Sequence, residues 1–250
     1  MPDTNSPATW PTKSSEPADR RRQEPEWLCA GFAATRGNLK GKRVLDVECG
    51  PGYVSFLAGK AGAAQVIGVT DSAAALAWAN ARFAGGAVRF REGPCSSLPL
   101  ASGDVDLAVS LETLERQRDA PGFIAELYRV LAPGGQLVLS TPLTRGPQRL
   151  HPQDPLHVRE YDDVELAALL SPRFSIAERL GLFREPGSLR ARPTGVRVAV
   201  DRTVGSVMTK LLGTRIAGVL AGPAPAPRGR LSAEGWEEAP YQLVLCRRVG

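Results

Sequence analysis

Seven short apolar runs, most of them separated by helical patterns, constrain this chain more than any other feature. The first, RVLDVE (43–48), leads through the turn CGPG into YVSFLAGKAG (53–62). The apolar spacing there is helical, and the stretch closes on glycine. AQVIGVT (64–70) reads as a second strand, and DSAAALAWANARF (71–83) as an alanine-rich helix opened by an Asp-Ser cap. AVRFRE (87–92) and VDLAVS (105–110) read as strands three and four. APGFIAELYRVLAPGG (120–135) reads as a helix with proline in its first turn and a Pro-Gly-Gly stop. QLVLSTP (136–142), FSIAERLGLF (174–183) and YQLVLCRR (241–248) complete the set. Such alternation predicts an α/β fold: a mostly parallel sheet with helices on both faces. No internal repeat is present.

The chain of 250 residues is long enough for one sizeable α/β domain with an elaboration. Residues 1–24, rich in Pro, Ser, Thr and charge, are expected to stay disordered because they bury too little apolar area. The core is expected over 25–183, and its final strand falls within 240–250. Between them, 184–239 reads as a basic helical insertion followed by a stiff Pro-rich linker (223–230). The charge supports that division. Between Arg184 and Ser232 stand nine basic and two acidic side chains, a surplus of seven in a chain whose net charge is +5, so the remainder is slightly acidic. A uniformly basic nucleic-acid binder is not expected from so confined a charge. Within 196–222 the apolar residues fall on one helical face, with Arg197, Arg202, Lys210 and Arg215 off it. Three readings stand for 196–220: a cover over the sheet that walls a pocket, a dimer contact, or a basic face that meets an anionic membrane surface or a phosphorylated acceptor.

No run of about 18 apolar residues is present to span a bilayer, and the opening residues lack the apolar core of a secretory leader. Cys29, Cys49, Cys95 and Cys246 are scattered without a CxxC pair, and there are two histidines. Reduced thiols, a cytoplasmic location and no metal site are the expectation.

The turn after a first parallel strand lies at the carboxyl edge, where ligands bind at the reversal of strand order. Gly50 and Gly52 let the backbone approach a ligand, and the helix that follows offers N–H groups. On its own, a GxG after a strand is equally a tight turn. Its surroundings add weight. GKRVLDVECGPGYVSFLA, VIGV, SLPLASGDVDLAVSLETLE and ELYRVLAPGGQLVLSTP resemble, in order and spacing, the class I S-adenosylmethionine (SAM) dependent methyltransferases. The similarity is strongest to the small-molecule group called methyltransferase type 11. It covers about 41–142 and resumes in DPLHVREYDDVELAALL (154–170).

The resemblance implies a Rossmann-like, seven-stranded sheet whose last strand is antiparallel, with SAM across the edge of the first two strands. It implies a methyl transfer to O or N of a small-molecule metabolite. Asp46 matches the acid that opens the glycine motif, and Gly50 and Gly52 match its second and third glycines. Glu48 stands in place of the first. The acid that ends the second strand and accepts from the ribose is Thr70 here, with Asp71 one residue late. The Gly-Asp pair after the third strand is Gly93-Pro94, and the Glu-His pair after the fourth is Glu115-Arg116. Each charged hydrogen bond lost costs about 1.5–3 kcal/mol, so two weaken binding roughly a hundredfold or more. Glu48 either points aside or pairs with the positive charge of SAM. The cofactor set implied is Asp46, Glu48, Cys49, Gly50, Gly52, Asp71, Pro94, Cys95 and Leu111. The alternative is a methyltransferase fold whose cofactor site has decayed or been reassigned, acting as a scaffold or catalysing another reaction.

Methyl transfer needs alignment, and a base only where the acceptor carries a proton. His157, with Tyr161 and Arg159 nearby, is the candidate base or substrate hydrogen-bonder; the other reading is that HVREYD only positions the next helix. Glu112 and Glu115 either face the pocket or cap a helix. Cys49 is a nucleophile by loop position or, more simply, a packing residue. Trp27 and Phe32 either close over the cofactor or pack in the core.

Overall fold

A computed structural model describes residues 39–144, 156–184 and 229–250. Eight strands form one sheet in the order β3-β2-β1-β4-β5-β8-β6-β7. In chain order they are β1 (Arg43–Val47), β2 (Gln65–Thr70), β3 (Val88–Glu92), β4 (Val105–Leu111), β5 (Leu131–Pro142), β6 (Phe174–Arg184), β7 (Gly229–Ser232) and β8 (Tyr241–Arg248). The first five are mutually parallel. β8 runs antiparallel between β5 and β6, and β7 pairs antiparallel with the outer edge of β6. The seven strands expected from the sequence are all present, with the last antiparallel. The eighth is the four-residue edge strand β7. The sequence places 229 and 230 at the end of a Pro-rich linker; their backbone instead pairs with β6.

Among the described residues four α-helices cover the faces: α1 (Tyr53–Lys60), α2 (Ala73–Phe83), α3 (Ala120–Val130) and α4 (Asp163–Leu170). Phe123, Ile124 and Leu127 of α3 and Leu166 and Leu170 of α4 pack against Leu45, Val47, Ile67, Leu137 and Leu139 on one face. Ala58 of α1 packs with Val44, Val66, Val88, Leu107 and Val109 on the other. Both faces of β1 and β2 are thus sealed, which is why these strands read as continuous apolar runs rather than alternating ones.

α3 ends at Val130, not at Gly135 as the sequence suggested. Leu131 has an extended backbone and pairs with Val105 of β4. Pro133 disfavours helical geometry at Ala132, and Gly134 is left-handed at φ 71°. The cap of α2 is Ser72, whose hydroxyl accepts from the Ala75 amide at 3.3 Å; Asp71 stays outside the helix. α4 opens with a capping box between Asp162 and Glu165. Residues 1–38, 145–155 and 185–228 lie outside the described residues, so the expectations placed on 1–24, on Trp27 and Phe32, and on the basic stretch 196–220 are outside them too. Among the described residues no helix is long and apolar enough to cross a membrane.

Candidate active site

Strand order reverses between β1 and β4, so the loops after β1, β2, β3 and β4 converge at one carboxyl edge. The β1 loop is a tight turn built from three left-handed residues: Glu48 (φ 55°), Gly50 (φ 49°) and Gly52 (φ 85°). The Cys49 amide donates to the Val69 carbonyl at 2.9 Å, which anchors the turn to β2. The Gly52 amide donates to the Cys49 carbonyl at 2.9 Å, and the Phe56 amide then donates to the Gly52 carbonyl as α1 begins. No side chain caps α1 at its start.

The two glycines have different duties. A Cβ on Gly52 would sit 2.7 Å from the Phe90 ring and 3.0 Å from Ala79, so this glycine lets α1, α2 and β3 close up. A Cβ on Gly50 would meet nothing nearer than the Glu48 carbonyl at 3.9 Å. That side of the turn is open, as a backbone cradle for a ligand requires. Asp46 lies beneath the turn, 3% exposed, and accepts from the Ser55 hydroxyl at 2.6 Å. Burial raises its carboxyl to about 7, against the pull of Ser55.

Glu48 does not point out into solvent. It is half-buried, and it faces the Cys95 thiol of the β3 loop, Asp71 of the β2 loop and Arg116 of the turn after β4. Burial first, then Asp71, raises it to about 7, while Cys95 and Arg116 pull it down. Cys95 also donates to Gln117 Oε1 at 3.1 Å, and burial raises its thiol to about 12. Asp71 is exposed at the mouth of this group. Thr70 is buried, with its hydroxyl taken up by the Ser72 amide at 3.2 Å. Pro94 is exposed and its carbonyl accepts from the Ser97 amide at 3.2 Å. Cys49 is buried, and desolvation pushes its thiol far above the ordinary value, so it packs rather than attacks.

A second group forms beyond β4 and β5. Leu111 ends β4 half-buried, and Glu112 is left-handed at φ 51°, its carboxylate accepting from Ser140 Oγ at 2.8 Å. Glu115 is wholly buried. Its Oε2 accepts from Thr141 Oγ1 at 3.1 Å, and its Oε1 has no hydrogen-bond partner but lies 3.9 Å from His157 Nε2. Burial pushes this carboxyl up, against its own backbone amide, His157, Arg116 and Thr141. The Glu115 carbonyl accepts from the Val158 and Arg159 amides at 2.7 and 3.1 Å, which ties 157–159 to the turn after β4. On its other side, His157 Nδ1 is 2.7 Å from Glu160 Oε1. The imidazole is therefore held between two carboxyl groups. Tyr161 is buried in the core, with its carbonyl accepting from Thr144, and burial raises its phenol. Arg159 pairs with Glu165 at 3.0 Å. Neither Glu112 nor Glu115 caps a helix; α3 is capped by Asp119. Sequence reasoning placed Glu115 at the pocket or at a helix cap, left Glu160 without a role and gave Cys95 no specific partner. Glu160 meets His157 within one segment, whereas the approach of Glu115 to His157 and of Cys95 to Gln117 depends on the topology.

This sheet and site define the class I methyltransferase fold. Residues 45–139 match the family model described as a methyltransferase domain. A probable S-adenosylmethionine-dependent methyltransferase of Mycolicibacterium smegmatis is 36% identical over 171 residues, 66% of this chain and 65% of that protein. The phthiotriol/phenolphthiotriol dimycocerosates methyltransferase of Mycobacterium leprae is 33% identical over 105 residues, 42% of this chain and 39% of that protein. This chain thus spans less than two thirds of either relative. Among solved structures, the [4+2]-cyclase SpnF is similar with a TM-score of 0.59 and 24% identity, over 91% of this chain and 83% of that one. That likeness concerns the fold.

Proposed function

We propose that the protein is a SAM-dependent methyltransferase acting on an oxygen or nitrogen atom of a small-molecule acceptor. The observation that carries this reading is the β1 turn. Its three left-handed residues sit at the reversal of strand order, its Gly50 side is open, and a buried carboxyl lies beneath it. The residues fit the cofactor. Gly50 and Gly52 provide the close backbone approach. Asp46 and Glu48 provide negative charge for a cationic ligand, and Asp71 stands at the edge of β2 where ribose hydroxyls need an acceptor. Cys49, Pro94, Cys95 and Leu111 complete the walls. Bound SAM supplies an electrophilic methyl group on a sulfonium.

The chain's own residues then align and deprotonate the acceptor. His157 is the base of this reading. With a proton on Nδ1 held by Glu160, Nε2 takes up the acceptor's proton, and Glu115 beside it stabilises the imidazolium. Glu160 and Glu115 fix the ring, Arg159 stands exposed beside it, and Tyr161, expected from the sequence near the chemistry, packs in the core instead. Calorimetry with SAM and its demethylated product tests the reading. Micromolar binding of either supports it, and no heat at millimolar ligand from folded protein overturns it.

One observation favours a second reading, a methyltransferase fold that performs other work. The Glu48 side chain stands among the four loops where a glycine is usual, and Pro94 offers no carboxylate. The similar cyclase structure shows only that such a fold also occurs in a protein so named. Absence of SAM binding in the same calorimetry would favour this reading.

A further inference from the structure

We propose that Glu48 makes the cofactor site select by charge, so that it holds the sulfonium cofactor and lets the uncharged thioether product go. This rests on the cofactor reading above and adds to it a determinant of specificity and product release.

The placement of Glu48 carries the inference. The residue occupies a left-handed position that glycine fills without strain, so the turn bears a cost to keep a side chain there. That side chain is half-buried and faces the Cys95 thiol, which donates to Gln117 Oε1. It therefore stands inside the ring of loops after β1, β2, β3 and β4, not outside it. Asp71 faces it from the β2 loop, and among the described residues Arg116 opposes the two acids from the turn after β4. On its own segment, Asp46 lies buried beneath the same turn. The field over the open Gly50 side is therefore negative. SAM and its product share the adenosyl and amino-acid parts and differ by the methyl group and one positive charge. A carboxylate within about 8 Å of a cation, at an effective dielectric near 30, contributes roughly tenfold in affinity. The uncharged sulfur of the product gains nothing from it.

The charge state of Glu48 makes the device pH-dependent. The groups facing it are Asp71, Cys95 and Arg116 from the other loops. Above about pH 7 its carboxylate is ionised and attracts the cation. Below that it is neutral, and selection fades.

The experiment is titration calorimetry of the full chain with SAM and with S-adenosylhomocysteine, for wild type, Glu48→Gln and Glu48→Gly, at pH 6 and pH 8. The expected result is about tenfold preference for SAM in wild type at pH 8. The preference shrinks severalfold at pH 6 and drops toward one in both variants at pH 8. Glu48→Gly restores the usual glycine and guards against misfolding as an explanation. Equal affinities in wild type at pH 8, or a SAM preference unchanged in both variants, would overturn the inference while the cofactor reading stands. Failure of both ligands to bind any of the three folded proteins would overturn the cofactor reading itself and this inference with it.

Discussion

Replacing Glu48 by glycine should make the protein more stable, and more so at high pH. Two effects contribute. Glu48 sits at φ 55°, where an L-residue with a Cβ costs about 1–2 kcal/mol; glycine removes that cost but loses about 0.5–1 kcal/mol through its greater unfolded entropy. The second effect is electrostatic. Burial and Asp71 raise the carboxyl from its ordinary 4.5 to about 7. One pKa unit corresponds to about 1.4 kcal/mol, and partial solvent access reduces the total here to about 1–2 kcal/mol. Because the folded-state value is the higher one, the unfolded chain ionises first. The cost of burying Glu48 is thus absent below pH 4.5 and grows as pH rises through 7. Asp46 behaves in the same direction but is common to both proteins and cancels in the difference. Glu48→Gly should therefore gain about 2 kcal/mol at pH 8 and about 1 kcal/mol or less at pH 5. Urea denaturation of both proteins at the two pH values measures this. In a chain of this length the gain at pH 8 corresponds to roughly 4–8 °C in Tm. A variant no more stable than wild type at pH 8, or a gain equal at both pH values, would refute the reasoning.

Gly52→Ala should lose about 3 kcal/mol and the ability to bind SAM, because its Cβ would lie 2.7 Å from the Phe90 ring at a φ of 85°; denaturant melts and calorimetry check this. His157→Ala should lower kcat about a hundredfold while leaving the affinity for SAM unchanged, as read by steady-state kinetics and calorimetry once an acceptor is in hand. Asp106→Ala should cost about 1 kcal/mol at neutral pH, since Arg43 donates to this carboxylate from its amide and guanidinium, both at 2.9 Å. Arg43 holds Asp106 below the usual carboxylate range, so that contribution should vanish in acid below the Asp106 titration. Cys49, Cys95 and Cys246 should resist iodoacetamide in the native protein at pH 8 and react after unfolding, because all three are buried with raised thiols; peptide mass spectrometry reads the modification.

The core strands were legible because burial on both faces leaves an unmistakable apolar run, as in VLDV of β1 and VIGV of β2. The end of α3 was misread, since leucine and alanine at 131 and 132 suit a helix. What stops it is the proline at 133 and the pairing of Leu131 with Val105 across the sheet. β7 gave no signal, because four residues held by an edge pairing need no apolar pattern of their own. In the site, the sequence pointed to Glu48 as the anomaly and to Gly50 and Gly52 as the turn. It could not show that the Glu48 carboxyl meets Cys95, Asp71 and Arg116. Those residues share a sheet edge only through the order β3-β2-β1-β4. The approach of Glu115 to His157 is likewise a product of the chain leaving β5 and returning to the turn after β4. Local propensity carries no trace of it.

The most direct measurement of whether this edge holds a cofactor is a crystal structure grown with excess SAM. An adenosyl group lying over Gly50, with Glu48 ionised toward the sulfonium and Asp71 at the ribose, is the result expected. A Glu48 side chain still turned toward Cys95, with no ligand density above the turn at saturating SAM, would contradict it and leave only the architecture.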